Sequence, residues 1–226
     1  MTPQKFLQNW QQNAADFGQI PWERSDDFRY YIEARLPAKA ATELVTKRSN
    51  FIAENNLKAT HLIAAEDMHI TLALPGRLGT HFQQNDLSYM QKVLAALTQK
   101  QDPIMIEIKD FNVFPNVLFA EVLDISGALQ KLHETICQQI PFSQYPEYQY
   151  EHYLPHVSLA YGAAAQDLSQ VNRTQAATSC ELTEIVLGKV KVGGPGETDR
   201  EVISRYPLAW LNSCYSSITT TVLRIT

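Results

Sequence analysis

A histidine followed two residues later by a hydroxyl occurs twice in matching company: His69-Ile70-Thr71-Leu72 and His156-Val157-Ser158-Leu159. An imidazole, with an ordinary pKa near ~6.5, can take or give a proton at neutral pH. A nearby hydroxyl can donate a hydrogen bond to an oxygen on which negative charge builds. Two such pairs facing one phosphorus would supply a base for the attacking oxygen, an acid for the leaving oxygen and donors for the non-bridging oxygens. That is metal-free phosphodiester chemistry. One copy would carry little weight in a chain with six histidines. Two copies, 87 positions apart (156 minus 69), carry far more.

The elements around them must place both pairs on accessible faces. His69 to Leu74 (HITLAL) and His156 to Tyr161 (HVSLAY) are apolar, β-branched runs that read as short strands. Strict alternation puts His69, Thr71 and Ala73 on one face and Ile70, Leu72 and Leu74 on the other. In the second strand it separates His156, Ser158 and Ala160 from Val157, Leu159 and Tyr161. A strand from Phe28 to Leu36, stopped at Pro37, and a helix ending at Asn55-Asn56 precede the first motif. Asn85-Asp86 is expected to cap a helix carrying Leu87, Met90, Leu94 and Leu97. A hairpin around Pro115-Asn116 and a helix capped by Ser126 and ended by Pro141 precede the second motif. His133 falls on the apolar stripe of that helix, as a core-edge residue. Glu181 to Val192 and Arg200 to Leu208 read as paired strands across Gly193-Gly194-Pro195-Gly196. That loop is a hairpin turn and no phosphate cradle, because it lacks the lysine and following helix of a P-loop.

HITLALPGRLG and LPHVSLAYG resemble the two motifs of the 2H phosphoesterase superfamily, in its 2′,5′-RNA-ligase-like and cyclic phosphodiesterase branches. The resemblance runs from Phe28 to about Pro207. It implies an α+β fold of two pseudosymmetric lobes, each an antiparallel sheet flanked by helices, with one motif from each lobe in a central cleft. The repeated strand–helix–motif order points the same way. The expected organisation is an N-terminal helical extension over 1–27, a bilobal domain over 28–210 and a tail over 211–226. Phe6, Leu7, Trp10, Ala14 and Phe17 have helical spacing, and that helix is expected to pack on the domain.

The resemblance implies His69 and His156 as the acid/base pair and Thr71 and Ser158 as phosphate holders, without saying which histidine is the base. Tyr148, Tyr150 and Tyr153 are candidates to stack a nucleobase, the other reading being a packed surface loop. Tyr161 stands where some relatives carry an arginine or an aromatic residue. Arg77, just past the first motif strand, is either a replacement phosphate clamp or a solvated surface charge. Serine or threonine as nucleophile finds no nucleophile elbow here, and zinc finds neither H-E-x-x-H nor a cysteine pair. No cofactor is expected.

With 19 basic and 24 acidic residues, the net charge is −5. A coat for long nucleic acid is usually basic, so the expected partner is a nucleotide or RNA end, with no extended nucleic-acid surface. Cys137, Cys180 and Cys214 are odd in number and without C-x-x-C spacing, which suits reduced thiols. No apolar run approaches membrane-spanning length, so the chain is read as cytoplasmic and monomeric. The competing functional class is a non-catalytic nucleotide or RNA-end binder using the same cleft.

Overall fold

Tyr30-Tyr31-Ile32-Glu33-Ala34 is buried on both faces and forms the middle of a strand that Pro37 brings to an end. In the computed structural model, residues 3–18, 28–140, 153–191 and 200–209 are described. The elements are α1 (Pro3–Asn13), β1 (Phe28–Arg35), α2 (Ala38–Glu54), β2 (Ala59–Leu62), β3 (His69–Gly76), α3 (Gln84–Thr98), β4 (Ile104–Val113), β5 (Val117–Asp124), α4 (Ala128–Gln139), β6 (His156–Gly162), β7 (Thr178–Leu182), β8 (Glu184–Lys191) and β9 (Arg200–Pro207).

The strands form one antiparallel sheet in the order β7-β4-β5-β6-β3-β1-β8-β9, with β2 on β6. The two halves meet where the motif strands meet. β7 and β8 lie six strand-to-strand steps apart, roughly 29 Å in a flat sheet. Yet only Thr183 separates them in the chain, and one such link reaches about 7 Å. The sheet must therefore curl until its far strands approach each other. The α+β architecture expected from the sequence is present, with each lobe contributing one motif strand to the seam.

Several local expectations need correction. Glu181 to Val192 is not one strand: it breaks at Thr183, because β7 pairs with β4 while β8 pairs with β1. The short strand β2 has no counterpart in the sequence expectations and pairs with β6. The α3 helix begins with Gln83 and Asp86 in a reciprocal capping box rather than at Asn85. His133 is fully buried, not at the core edge. Among the described residues the free thiols are Cys137 and Cys180, and burial raises each to about 11.

Both motif strands carry a bulge at the same place. Thr71 and Ala73 face the consecutive residues Glu33 and Ile32, leaving Leu72 extra. Ser158 and Ala160 face Phe119 and Leu118, leaving Leu159 extra. A bulge frees a backbone carbonyl that the ladder would otherwise satisfy. The Leu72 carbonyl accepts from His133 Nδ1 of α4 at 2.7 Å. The Leu159 carbonyl accepts from Arg48 Nη1 of α2 at 3.1 Å, and Arg48 also donates to the Ile63 carbonyl. Each helix thus serves the motif strand of the other half of the chain. Arg48 is 5% exposed, and hydrogen bonds to a charged donor are each worth ~1.5–3 kcal/mol. Arg48→Met is expected to lower the unfolding free energy by roughly 2–4 kcal/mol in urea denaturation. An unchanged midpoint would remove the clamp from this account.

Candidate active site

β3 and β6 are joined by a single pairing, Ile70 with Val157. Continuing that register sets His69 across from Ser158 and Thr71 across from His156. Ile70 and Val157 are fully buried beneath the sheet, while the four polar residues are partly accessible on the opposite face. Each imidazole therefore stands opposite the other motif's hydroxyl.

The two rings are held alike. His69 Nδ1 is 2.6 Å from the Asp67 carbonyl, and His156 Nδ1 is 2.8 Å from the Leu154 carbonyl. A carbonyl only accepts, so Nδ1 carries the hydrogen in both rings and Nε2 is the nitrogen left for chemistry. Thr71 is supported from its backbone, where Tyr153 Oη donates to the Thr71 carbonyl at 3.1 Å.

An aromatic ring and a carboxylate flank each histidine from the adjoining strand. Tyr31 stacks toward His69 at 6.5 Å between centroids. Phe119 and Phe114 stand 5.1 and 5.0 Å from His156. Glu33 pairs in register with Thr71, and Glu121 pairs with His156. The two carboxylates then diverge. Glu33 Oε2 is 3.5 Å from His69 Nε2, and Glu33 also binds Arg200 and, at 2.6 Å, Arg35. Glu121 binds Arg173 and Asn112.

Proton affinities differ between the two sides of the histidine face. Burial pushes His156 down to about 4, helped by nearby His69 and opposed by the Leu154 carbonyl. Burial pushes Glu33 up to about 7 against the attraction of Arg200 and Arg35. Glu121 is also raised by burial, against Asn112 and Arg173. Among the described residues, no three His, Cys, Asp or Glu side chains converge as a metal site requires.

The 2′-5′ RNA ligase superfamily model matches residues 37–193. This chain belongs to that family. It is thereby a member of the 2H phosphoesterases, and its match spans both motif strands. Among solved structures, Escherichia coli LigT complexed with 3′-AMP is similar at 17% identity and a TM-score of 0.61, covering 81% of this chain and 99% of that one. TT0787 of Thermus thermophilus is similar at 16% identity and a TM-score of 0.60, covering 80% and 97%. The MHV ns2 PDE domain is more distant, at 13% identity and a TM-score of 0.50, covering 72% and 98%. At these identities the likeness shows a shared fold. No curated protein matches the sequence closely enough to count as a relative.

The remaining candidates scatter. Tyr148 and Tyr150 lie outside the described residues. Tyr153 is 1% exposed with its ring stacked on His133 at 3.7 Å, so it props β3 and offers no face to a base. Tyr161 moves the other way. The bulge at Leu159 sets it opposite Val117, which shares the Phe119 face, and corrects the strict alternation expected from sequence. The bulge in β3 likewise sends Ala73 to the Ile32 face and lets Leu74 pack with Tyr31 and Val186. Arg77 lines a cleft of about 290 Å³ with Phe28, Tyr30 and Lys189. Tyr30 and Tyr31 alternate along β1, so Arg77 sits across the sheet from His69.

Cations of the histidine face come instead from Arg35, Arg173 and Arg200. A sequence signal for their carboxylate partners existed: Tyr31-Ile32-Glu33-Ala34 and Phe119-Ala120-Glu121-Val122 repeat an aromatic–apolar–Glu–apolar pattern. The α1 helix also borders this face. Asn112 shares the face of Phe119, and its Nδ2 donates to the Phe6 carbonyl at 2.7 Å, while Arg173 lies over Trp10.

Proposed function

We propose that this protein is a metal-independent phosphoesterase acting on 2′,3′-cyclic phosphates or on 2′,5′ or 3′,5′ phosphodiesters at RNA ends, with His69 and His156 as its acid/base pair. One observation carries the reading. Two His-x-[Ser/Thr]-Leu strands meet at Ile70–Val157, with both imidazoles presenting Nε2 on one face. A phosphate between them would have a proton acceptor and a proton donor on opposite sides. In this reading Thr71 and Ser158 donate to its non-bridging oxygens. Family membership supports phosphoester chemistry. The complexes of LigT with 3′-AMP, ATP and NADP⁺ favour a nucleotide as the group bound here.

The α1 helix beside Asn112 and Arg173 walls the face on the His156 side, which suits a terminal nucleotide better than a continuous strand. With a net charge of −5, attraction for phosphate is concentrated in the arginines around the two carboxylates.

The test is product analysis after incubation with 2′,3′-cyclic nucleotides, 2′,5′-linked dinucleotides and short RNA, each with and without excess EDTA. Turnover of at least one substrate is expected, at a rate that EDTA leaves unchanged. Activity lost on chelation and restored by Mg²⁺ or Zn²⁺ would overturn the metal-free mechanism. Tight nucleotide binding with no product would favour the non-catalytic binder.

A further inference from the structure

The two halves of the site are nearly matched in backbone, bulge and ring support, but not in charge. Glu33 is fully buried on the histidine face, and its Oε2 lies 3.5 Å from the reactive nitrogen of His69. Glu121, its counterpart beside the other histidine, is held by Asn112 and Arg173. We propose that Glu33 divides the labour between the histidines, keeping a transferable proton at His69 and so making His69 the general acid and His156 the general base. This rests on the phosphoesterase reading above and adds a positioning residue to it.

The geometry supports it in two steps. A buried carboxylate beside an imidazole holds one proton with it, either as imidazolium–carboxylate or as imidazole–carboxylic acid. In the first form the proton sits on His69 Nε2; in the second it sits on the Glu33 carboxyl and passes to Nε2 within the pair as Nε2 delivers it to the leaving oxygen. On the other side, Phe114 and Phe119 crowd His156 and disfavour its charged form. The groups facing Glu33 set the strength of its hold. They are Arg35 and Tyr31 on β1, Arg200 on β9, His69 on β3 and Asp67 in the turn before β3. The arginines lower its affinity for the proton, whereas burial and Asp67 raise it. Arg200 also lies over the Tyr31 ring at 4.5 Å, which fixes the guanidinium against the pair.

For a 2′,3′-cyclic phosphate the step balances as follows. Water loses a proton to His156 Nε2 as its oxygen bonds to phosphorus. The phosphorus–O2′ bond breaks, and O2′ takes the proton from His69 Nε2. His156 ends protonated and the Glu33–His69 pair ends one proton short. Exchange with solvent restores both.

Two measurements decide it. Histidine resonances of the free protein are titrated by NMR in wild type, Glu33→Gln and Arg35→Gln, and the pH dependence of kcat/KM is recorded for the same three. In Glu33→Gln the His69 titration and the alkaline limb of the rate are expected to fall together by at least ~1 pH unit, the usual effect of losing an adjacent opposite charge. In Arg35→Gln, which removes a cation, both are expected to rise. The His156 titration should change little in either variant. If Glu33→Gln fails to fold, the upward movement in Arg35→Gln carries the test. A His69 titration identical in all three proteins overturns the proposal even when the enzyme is active. If wild type turns over none of the panel substrates, the phosphoesterase reading fails, while the titration still decides whether Glu33 holds a proton on His69.

Discussion

His69→Ala and His156→Ala are each expected to lower turnover at least ~10²-fold, the scale on which a lost general acid or base is felt. The double replacement should be little worse than either single one, because the two residues serve the same transition state. Thr71→Ala and Ser158→Ala should cost less, roughly 1–4 kcal/mol of transition-state stabilisation, as other lost oxyanion donors do. Rates are measured on the best substrate of the panel, and thermal unfolding checks that each variant is folded. The control matters most for His156, whose ring packs against Phe114 and Phe119.

The pH dependence adds a sign to this result. Burial holds His156 at about 4, so the imidazole is neutral and able to accept a proton above that value. The acid limb of the wild-type rate should therefore lie well below the usual histidine range. A single variant that retains near-normal turnover would refute the paired mechanism.

The shared face of each histidine and its hydroxyl was legible from the sequence, because period-two alternation and residue type together fixed it. His69 with Thr71, and His156 with Ser158, keep the predicted parity because the bulges come one residue later, at Leu72 and Leu159. Beyond those leucines the same rule failed: Ala73, Leu74 and Tyr161 all changed face. A bulge depends on what catches its freed carbonyl, here His133 and Arg48 from distant helices. No local pattern announces such a partner. The break at Thr183 was hidden for a similar reason, since Glu181 to Val192 is uniformly strand-like and only the curl of the sheet sends its two parts to different neighbours.

Charge placement was the other blind spot. Arg77 drew attention by standing near the first motif in sequence, but it lies across the sheet from His69. Arg173 and Arg200 reach the histidine face through pairings that the order of the chain does not reveal, whereas Arg35 lies two residues beyond Glu33 on the same strand face. Their anchors, Glu33 and Glu121, are buried carboxylates inside largely apolar strands. A buried charge is costly unless paired and hydrogen-bonded, so each predicts a partner without naming it.

The substrate's 2′-oxygen is expected to decide activity altogether. An all-deoxy oligonucleotide should yield no detectable product under conditions where the ribo-oligonucleotide of the same sequence, or its 2′,3′-cyclic end, is processed. Two imidazoles on one face, with hydroxyls between them, suit a phosphorus that bonds to a 2′-oxygen as nucleophile or leaving group. A 2′-deoxy sugar supplies neither. The arginines are ion-paired with the buried carboxylates Glu33 and Glu121, so their positive charge is local and not spread over an extended face. The net charge of −5 argues against compensation by extended backbone contacts. Loss of the 2′-oxygen should therefore act on the chemical step, leaving binding of a terminal phosphate measurable. Both oligonucleotides are compared at matched ionic strength, with product resolved by chromatography and binding followed separately. Equal cleavage of the two would remove the RNA-end assignment and leave a general phosphodiesterase, because the dyad would then be acting on a linkage in which the neighbouring hydroxyl has no part.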